Sequence, residues 1–333
     1  MDEKRSVRLT MLGAALRRYL VERGFSLDDA AAMLDCDRSK VSRIETGTRG
    51  IRFHDLRDLL AEYGVSEGER AGLMALARPR GAGDWEAYAD VLPRAAREYL
   101  WLEAAASHVF VYEGQRVPAL LRAEGYARAI AEHDPLVPAG TAGRVADVLA
   151  ARQRAVLGAE QPELVMVIGE AALRQQVGGA KVMRAQFARL AALSADSDRV
   201  TILVLPFASG AHAAAGSGPV TIFGFGQPPG LGAVHQAGLS GGVFLDSPRD
   251  LDAHAVAFTR LRASALSAAR RSSGARMTFA PPTCWRRAAS PITMTSSGCS
   301  APRTARWRAA MASATLPAVP AGTSGSCSAM TRA

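Results

Sequence analysis

Residues 24–49, GFSLDDAAAMLDCDRSKVSRIETGTR, decide how the first part of this 333-residue chain folds. The pattern predicts two short helices joined by a tight turn. Ser26 stands three residues before Asp29, which is the spacing of a capping box at the start of a helix. Asp37 is placed to cap the second helix, and Gly47 is placed to end it in a left-handed conformation.

The second helix of this pair is predicted to carry an outward face of cationic and hydroxyl side chains. Helical periodicity turns Val41 and Ile44 inward. Five side chains then point outward: Arg38, Ser39, Lys40, Ser42 and Arg43. Arg49 and Arg52 follow closely, so basic residues outnumber acidic ones in this stretch. Clustered cations favour binding to DNA, because each neutralised phosphate releases counterions.

Apolar residues at helical spacing on both sides of the pair predict three further helices. They are Leu12, Leu16 and Leu20 before it, and Phe53, Leu56, Leu59 and Leu60 after it. A second capping box, from Ser66 to Glu69, opens the fifth helix. We therefore predict that residues 1–80 form an all-α domain of five helices.

Residues 12–77 resemble the XRE (Cro/C1-type) helix-turn-helix family, and the stretch SRIETGTRG matches its signature. The resemblance implies that residues 38–45 enter the major groove of an operator. By position, it implies that the five outward side chains face DNA, that Arg49 lies beside the DNA backbone and that Glu45 orients nearby basic groups. Leu27 departs from the family, where many members carry a Gln that contacts phosphate.

The next part of the chain mixes helical and extended periodicity. Residues 81–91 contain two glycines and predict a linker. Within residues 92–268 the predicted helices are 92–106, 118–132, 142–157, 169–176, 180–194 and 248–268, and the predicted strands are 108–112, 164–168, 200–205, 219–225, 232–236 and 242–246. This mixture predicts an α/β or α+β domain. VTILVL (200–205) is apolar on both faces, which predicts a central strand, and the later strands predict a meander.

Several stretches of this second domain resemble the domain of unknown function that follows XRE-type motifs in actinomycete regulators, including the WhiJ-type regulators of Streptomyces. They are WLEAAASHVFVYEGQRVPALLRAEGYARA (101–129), RQRAVL (152–157), GEAALRQQVGG (169–179) and VLPFASGAHAAAGSGPVTIFGF (204–225). The resemblance implies a transcriptional regulator, often encoded beside a small partner protein. We therefore expect residues 92–268 to bind an effector or a partner.

Residues 269–333 form a low-complexity tail of Arg, Ala, Ser and Pro, which we expect to be disordered. Residues 253–333 hold eleven Arg and no Lys, Asp or Glu, so the net charge of +9 arises in this part of the chain. Two explanations stay open. Either the reading frame of a GC-rich gene is lost near residues 268–272, or the tail is a basic extension that assists DNA binding. Sequencing codons 260–280 in several isolates distinguishes them.

No sequence pattern of an enzyme, a cofactor site or a metal site emerges. Glu170, His212, His235 and the glycine-rich loop 209–219 are the candidates, but the loop lacks both GxGxxG and a P-loop Lys, and neither GxSxG nor HExxH occurs. The cysteines have no zinc-binding spacing. We expect no enzyme activity, no cofactor and no metal.

The N-terminus lacks the apolar region of a signal peptide, and the apolar stretches are shorter than a membrane span. We therefore expect a cytoplasmic, nucleoid-associated protein that binds no membrane.

Taken together, the patterns predict a sequence-specific transcriptional regulator. We expect it to bind a double-stranded DNA operator as a homodimer, while the second domain senses a ligand or a small protein encoded by an adjacent gene. One alternative is an antitoxin-like interaction protein that neutralises the neighbouring gene's product and regulates its own expression. The other alternative is an enzyme that carries a DNA-binding module.

Overall fold

A computed structural model describes residues 6–77, 85–158, 162–196, 198–226, 230–239 and 241–267. The predicted tail, with both explanations of its composition, lies outside these residues, as do residues 81–84 of the predicted linker. In the part of the chain that is described, no helix is both long and apolar enough to span a membrane.

The first domain consists of five helices, as predicted. Their bounds are α1 Val7–Glu22, α2 Leu27–Met33, α3 Arg38–Glu45, α4 Phe53–Glu62 and α5 Glu67–Ala77. The buried core between them includes Leu12, Leu16, Ala30, Val41, Ile44, Leu56, Leu60 and Leu73. Phe53, the first residue of α4, is 46% exposed and is not part of this core. The helix begins at this residue, at the edge of the core.

Local hydrogen bonds set the ends of the two helices in the motif, as the sequence predicts. Ser26 Oγ accepts the Asp29 amide at 3.1 Å, while the Asp29 carboxylate accepts the Ser26 amide at 2.8 Å. Asp37 caps α3 by accepting the Lys40 amide at 2.8 Å. Gly47 follows α3 with φ +70°, a conformation that glycine adopts without strain.

Close backbone contact fixes α3 against α1, a contact that the sequence pattern does not indicate. A Cβ atom added to Gly13 of α1 would lie 2.4 Å from the carbonyl oxygens of both Ile44 and Glu45. At Gly47, an added Cβ would lie 2.6 Å from the Thr10 backbone. Glycine is therefore required at both positions, because any side chain would force the helices apart.

The second domain contains six helices and seven strands in its described residues. They are α6 Arg94–Ala105, β1 His108–Glu113, α7 Glu124–Ala131, α8 Ala142–Val156, β2 Glu163–Gly169, α9 Glu170–Arg174, α10 Gly179–Asp196, β3 Val200–Leu205, β4 Val220–Gly224, β5 Gly232–Gly238, β6 Gly241–Leu245, α11 Pro248–Ser264 and β7 Leu266–Ser267. The predicted mixed α/β class is confirmed. Within the predicted linker, Trp85–Tyr88 form a 3₁₀ turn, and Trp85 is buried against Leu100 and Val148.

The strands form one mixed sheet in the order β6-β5-β4-β1-β2-β3-β7. β1, β2 and β3 run parallel to one another. The antiparallel strands β4, β5 and β6 form the predicted meander. Residues 200–205 form an internal strand covered on both faces, but it lies near one end of the sheet, between β2 and the two-residue β7. Apolar residues on both faces of β3 reflect two buried cores, one on each side of the sheet.

The predicted helix 118–132 is interrupted. Residues Ala119–Leu121 form a 3₁₀ turn, Arg122 and Ala123 are extended, and α7 begins only at Glu124. The Arg122 Nε group donates to the Val117 carbonyl at 2.8 Å and stabilises this turn. A tertiary contact adds to it, since the Ala123 amide donates to Gln186 of α10 at 2.8 Å.

Helix α6 joins the second domain to the start of α1. The Glu98 carboxylate accepts the Ser6 hydroxyl at 2.7 Å and the Arg8 amide at 2.8 Å. The Arg8 guanidinium also lies over the Trp101 ring, 4.9 Å from its centroid. A carboxylate at a helix N-terminus is stabilising, because it satisfies free amides and opposes the helix dipole.

The contact at Gly13 predicts that Gly13→Ala destabilises the protein, although alanine is normally the better helix former. We expect a loss of about 1–3 kcal/mol in the free energy of unfolding, because the added methyl overlaps the α3 carbonyls. The matched control is Gly143→Ala in α8, where nothing lies within 4 Å of an added Cβ. There we expect no loss, or a gain of up to about 1 kcal/mol. Denaturant unfolding measures both, and a fully stable Gly13→Ala protein would contradict the close contact.

Candidate functional site

The outward face of α3 is largely free of the protein core. Val41 and Ile44 are each only 3% exposed and hold the helix inward, as predicted. Six of the predicted DNA-contacting residues are exposed: Arg38, Ser39, Ser42 and Arg43 on the helix, and Arg49 and Arg52 in the following loop. We call these six residues the α3 surface. It combines guanidinium and hydroxyl groups, which donate hydrogen bonds to phosphates and base edges.

Hydrogen bonds within α3 organise part of this surface. Arg43 Nε donates to the Ser39 carbonyl at 3.2 Å, and its Nη2 lies 3.3 Å from Ser39 Oγ. The Ser39 hydroxyl in turn donates to the Asp37 carboxylate. This hydrogen bond, followed by that from the Lys40 amide, lowers the pKa of Asp37 below its ordinary value. Arg43 is therefore held along the helix with further N–H groups still available to a ligand.

Lys40 and Arg38 lie beside carboxylates. Lys40 is only 23% exposed, and its Nζ is 3.9 Å from the Asp55 carboxylate of α4. It therefore lies at the margin of the α3 surface, and its predicted DNA contact stays a prediction. Arg38 is well exposed, 3.6 Å from Asp28 of α2. Ion pairs this exposed are weak, so the contact with Asp28 leaves the Arg38 guanidinium available to other anions.

Glu45, for which the resemblance implies a structural role in orienting nearby basic groups, is only partly exposed. One of its carboxylate oxygens is buried and accepts no hydrogen bond from the described residues. Burial raises the Glu45 pKa, and the nearby charge of Arg17 on α1 lowers it. The charge that acts on Glu45 thus belongs to α1. Glu45 is placed between helices, not among the exposed cations of α3.

Two hydroxyls beside the α3 surface were missed by sequence reasoning. Thr46 and Thr48 are exposed, and their hydroxyl oxygens lie 3.2 Å apart. The amide and the hydroxyl of Thr48 both donate to the Arg43 carbonyl, at 3.0 and 3.1 Å. The available signal was the pattern Thr-Gly-Thr directly after the helix, which places hydroxyls on both sides of a left-handed glycine.

The second domain contains a cavity of about 500 Å³ between its sheet and helices α6, α7 and α8. Its floor includes one row of paired residues across four strands, in the order Met166, Val111, Thr221 and His235. Directly paired residues in a sheet point to the same face, so strand register alone brings these four side chains together. The volume is typical of a small-molecule site.

A polar network crosses one wall of the cavity. Arg152 of α8 makes a bidentate pair with Glu103 of α6, through contacts of 2.5 and 2.6 Å. Arg152 also donates to the Tyr99 hydroxyl at 3.3 Å, which lies 3.1 Å from Thr221 Oγ1. Glu103 is fully buried. Burial, together with the negative charge of Glu103, raises the pKa of Tyr99 to about 12.

His235, the last residue in the row on the cavity floor, lies beside this network. Its ring packs edge-on against Tyr99 at 4.9 Å between centroids, and lies 4.7 Å from the Phe244 ring on the paired strand. Burial, reinforced by the positive charge of Arg152, lowers the pKa of His235 to about 4. The imidazole is therefore neutral at physiological pH.

Comparison with protein families accounts for both domains. A family described as "Domain of unknown function (DUF5753)" matches residues 96–272, more than half of the chain. The chain belongs to this family. A second family, described as a helix-turn-helix domain, matches residues 11–73. Helices α1–α5 therefore form a helix-turn-helix domain, and this class of domain indicates DNA binding. No curated protein and no solved structure gives a match.

The candidates named from the sequence are dispersed within the DUF5753 domain. Glu170 accepts the Phe207 amide at 2.7 Å, and this hydrogen bond lowers its pKa. His212 accepts the Ala214 amide at 3.3 Å within its own loop. Of the three candidates, only His235 lines the cavity. Among the described residues, no group of three or more His, Cys, Asp or Glu side chains could hold a metal.

Sequence reasoning missed the charged residues of the cavity. Glu103 and Arg152 are 49 positions apart, and neither belongs to a chemical motif. One signal was available for Arg152, since it continues the apolar stripe of Val145, Val148 and Leu149 in α8. A charged residue on the inward stripe of a helix needs a partner, although the sequence does not show which.

The low pKa of His235 predicts a pH-dependent contribution to stability. The unfolded chain binds a proton at this residue near pH 6.5, whereas the folded protein binds it only near pH 4. Stability is therefore lost as the pH falls through this window, by up to about 1.4 kcal/mol per pH unit. We expect His235→Phe, which retains an aromatic ring, to have a shallower dependence than wild type between pH 6.5 and 4.

Denaturant unfolding at several pH values measures this slope, and His133→Gln, at an exposed position, is the matched control. Equal slopes in all three proteins would show that His235 makes no such contribution.

Proposed function

We propose that this protein is a sequence-specific transcriptional regulator whose helix α3 binds in the major groove of an operator. The observation that carries the proposal is the α3 surface itself. It presents exposed guanidinium and hydroxyl groups on one side of a helix whose other side is fixed by Val41 and Ile44. The major groove of B-DNA is wide enough to admit a helix.

The rigid attachment of α3 supports base recognition over loose electrostatic binding. The Gly13 contact and the Asp37 cap hold the helix at both ends. A helix fixed in this way can hold Arg43 at one base position, whereas a mobile basic segment reads mainly charge. On this proposal Arg43 contacts a base edge, and Arg49 and Arg52 contact phosphates.

The regulator is proposed to act as a homodimer in the cytoplasm. Helix-turn-helix dimers bind two half-sites about one helical turn apart, in positions that mirror their two-fold symmetry. The test is to map the genomic binding sites, with the gene's own promoter as the first candidate. Recovery of inverted half-sites at this spacing is the expected result.

We propose that the DUF5753 domain senses a small ligand without catalysing a reaction. The cavity has a volume typical of small-molecule sites, which supports a ligand. A protein partner is the alternative. A pull-down against the product of the adjacent gene tests that alternative, and a stoichiometric complex would favour it. The other alternative is an enzyme that uses His212, which lies outside the cavity lining, and unchanged regulation in a His212→Ala variant would weigh against it.

Removing the Arg43 side chain should weaken specific binding. We expect Arg43→Ala to cost roughly 1–3 kcal/mol at the native promoter, as for the loss of one bidentate base contact. The matched control is Arg128→Ala, which removes an exposed arginine from helix α7 of the other domain. Binding isotherms on the promoter and on a scrambled duplex measure the effect. An Arg43→Ala protein that still discriminates between the two duplexes like wild type would show that base contacts lie elsewhere.

Removing the Arg49 side chain should weaken binding to all duplexes alike. The residue is exposed in the loop after α3, so we expect Arg49→Ala to lose one phosphate contact. The slope of log affinity against log salt concentration should then decrease by about one. Titrations from low to moderate salt measure the slope on both duplexes. A loss confined to the native promoter would instead assign Arg49 to a base contact.

A further inference from the structure

The charged side chains that line the cavity are not all paired with one another. Arg152 is matched by Glu103 through the bidentate contact described above. Asp134, at the end of α7, accepts the Leu136 amide of its own turn at 2.9 Å. Three charged side chains remain: Arg116, Arg122 and Glu113. The lining therefore carries three arginines and three carboxylates, but no ion pair joins Arg122 to a carboxylate of the described residues.

Arg122 is the less well compensated of the two cations. Its one side-chain hydrogen bond with the described residues goes to the Val117 carbonyl, which carries no net charge. Burial, together with the repulsion of Arg116 and Arg152, outweighs the attraction of Glu113 and lowers the Arg122 pKa to about 10. The residue is nevertheless charged at neutral pH and keeps accessible surface on the cavity.

The Glu113 carboxylate does not approach these two arginines closely enough to form a hydrogen bond. Its side chain lies at the end of β1 and the residue is 7% exposed, with one carboxylate oxygen that forms no hydrogen bond to the described residues. The nearest arginine atom is Arg116 Nε at 3.7 Å, beyond hydrogen-bond distance. Burial raises the Glu113 pKa, and the charges of Arg116 and Arg122 oppose that shift. Glu113 thus gives the Arg122 guanidinium no hydrogen-bonded counter-charge.

The remaining walls of the cavity are apolar. Side chains from every surrounding element contribute, including Leu100, Val111, Leu120, Ile130, Val148 and Met166. An apolar lining with few charged groups suits a ligand that is mostly hydrocarbon with one polar end. An inorganic anion would leave these walls uncovered, and a neutral hydrocarbon would leave Arg122 without a counter-charge.

On the basis of the regulator proposed above, we propose that this cavity is an effector site for an organic anion with an apolar body, and that Arg122 binds its anionic group. The apolar body lies over the row of Met166, Val111 and Thr221, and the anion replaces the missing partner of the guanidinium. This assigns a ligand class to the second domain and one residue that selects for charge.

Helix α6 provides a physical route from this site to the DNA-binding domain. Tyr99 and Glu103 line the cavity, while Glu98 and Trp101 of the same helix hold the first turn of α1. A ligand that shifts α6 therefore shifts the contacts of α1, the helix against which α3 is packed. The effector is proposed to alter operator affinity by this route.

The first experiment measures ligand binding in the full-length protein without DNA. The probe is 8-anilinonaphthalene-1-sulfonate, an organic anion with an aromatic body, and its neutral counterpart is N-phenyl-1-naphthylamine. We expect one saturable site for the anion, and a loss of at least tenfold in affinity in Arg122→Gln with little change for the neutral probe. Arg122→Lys, which keeps the charge, should retain most of the affinity.

Two further variants control this measurement. Arg189→Gln removes another partly buried arginine whose Nε forms no hydrogen bond to the described residues, but which lies outside the cavity lining, and it should bind the anion like wild type. Ala96→Trp fills the cavity from α6 and should abolish binding of both probes. Absence of a saturable site, or equal affinity in Arg122→Gln and wild type, would overturn the proposal.

The second experiment titrates the promoter fragment with protein in the presence and absence of saturating anionic probe. We expect a change of at least threefold in DNA affinity in wild type and none in Arg122→Gln. If the probe binds but DNA affinity is unchanged, coupling through α6 is overturned. If the protein binds no duplex even without the probe, the proposed function fails while the cavity assignment stands. If it binds the promoter but no probe, the cavity assignment alone fails.

Discussion

Glu98 of α6 accepts hydrogen bonds from Ser6 and Arg8, and so caps α1 with a carboxylate from the neighbouring domain. A helix begins with amides that its own backbone cannot satisfy, and here the other domain satisfies one of them. Since α1 packs directly on α3 through Gly13, the position of the exposed cations depends on this contact. The two domains therefore form a continuous series of contacts from the sheet, through α6 and α1, to the α3 surface.

The buried ion pair of Glu103 and Arg152 fixes the orientation of two helices in the second domain, but removing its charges from water costs free energy. Removing two charges from water is expensive, and their attraction only partly offsets that cost. An apolar pair of the same volume would stabilise the protein at least as well. The bidentate geometry instead fixes α6 against α8 in one orientation and positions Tyr99 over the sheet. Such a network favours one fixed shape of the cavity over the largest free energy of unfolding.

Several features of the fold were predictable because they depend on residues a few positions apart. Capping at Ser26 and Asp37, the inward direction of Val41 and Ile44, and the meander of β4 to β6 all follow from short-range patterns. The place of β3 was not predictable, because apolar residues on both faces indicate burial and not the number of neighbouring strands. The break at Arg122 was missed for a similar reason: its side-chain hydrogen bond to Val117 and the nearby contact with Gln186 override a continuous helical pattern.

Local sequence was sufficient to indicate which side chains of α3 face outward, because helical periodicity and caps act within one or two turns. The close approach of α1 to α3 needed the structure, since a glycine in a helix does not reveal what lies opposite it. The cavity also needed it. Glu103, Arg122, Arg152 and His235 come from four separate segments, and strand register and helix packing bring them together. Contacts of this kind depend on chain topology, which local periodicity does not encode.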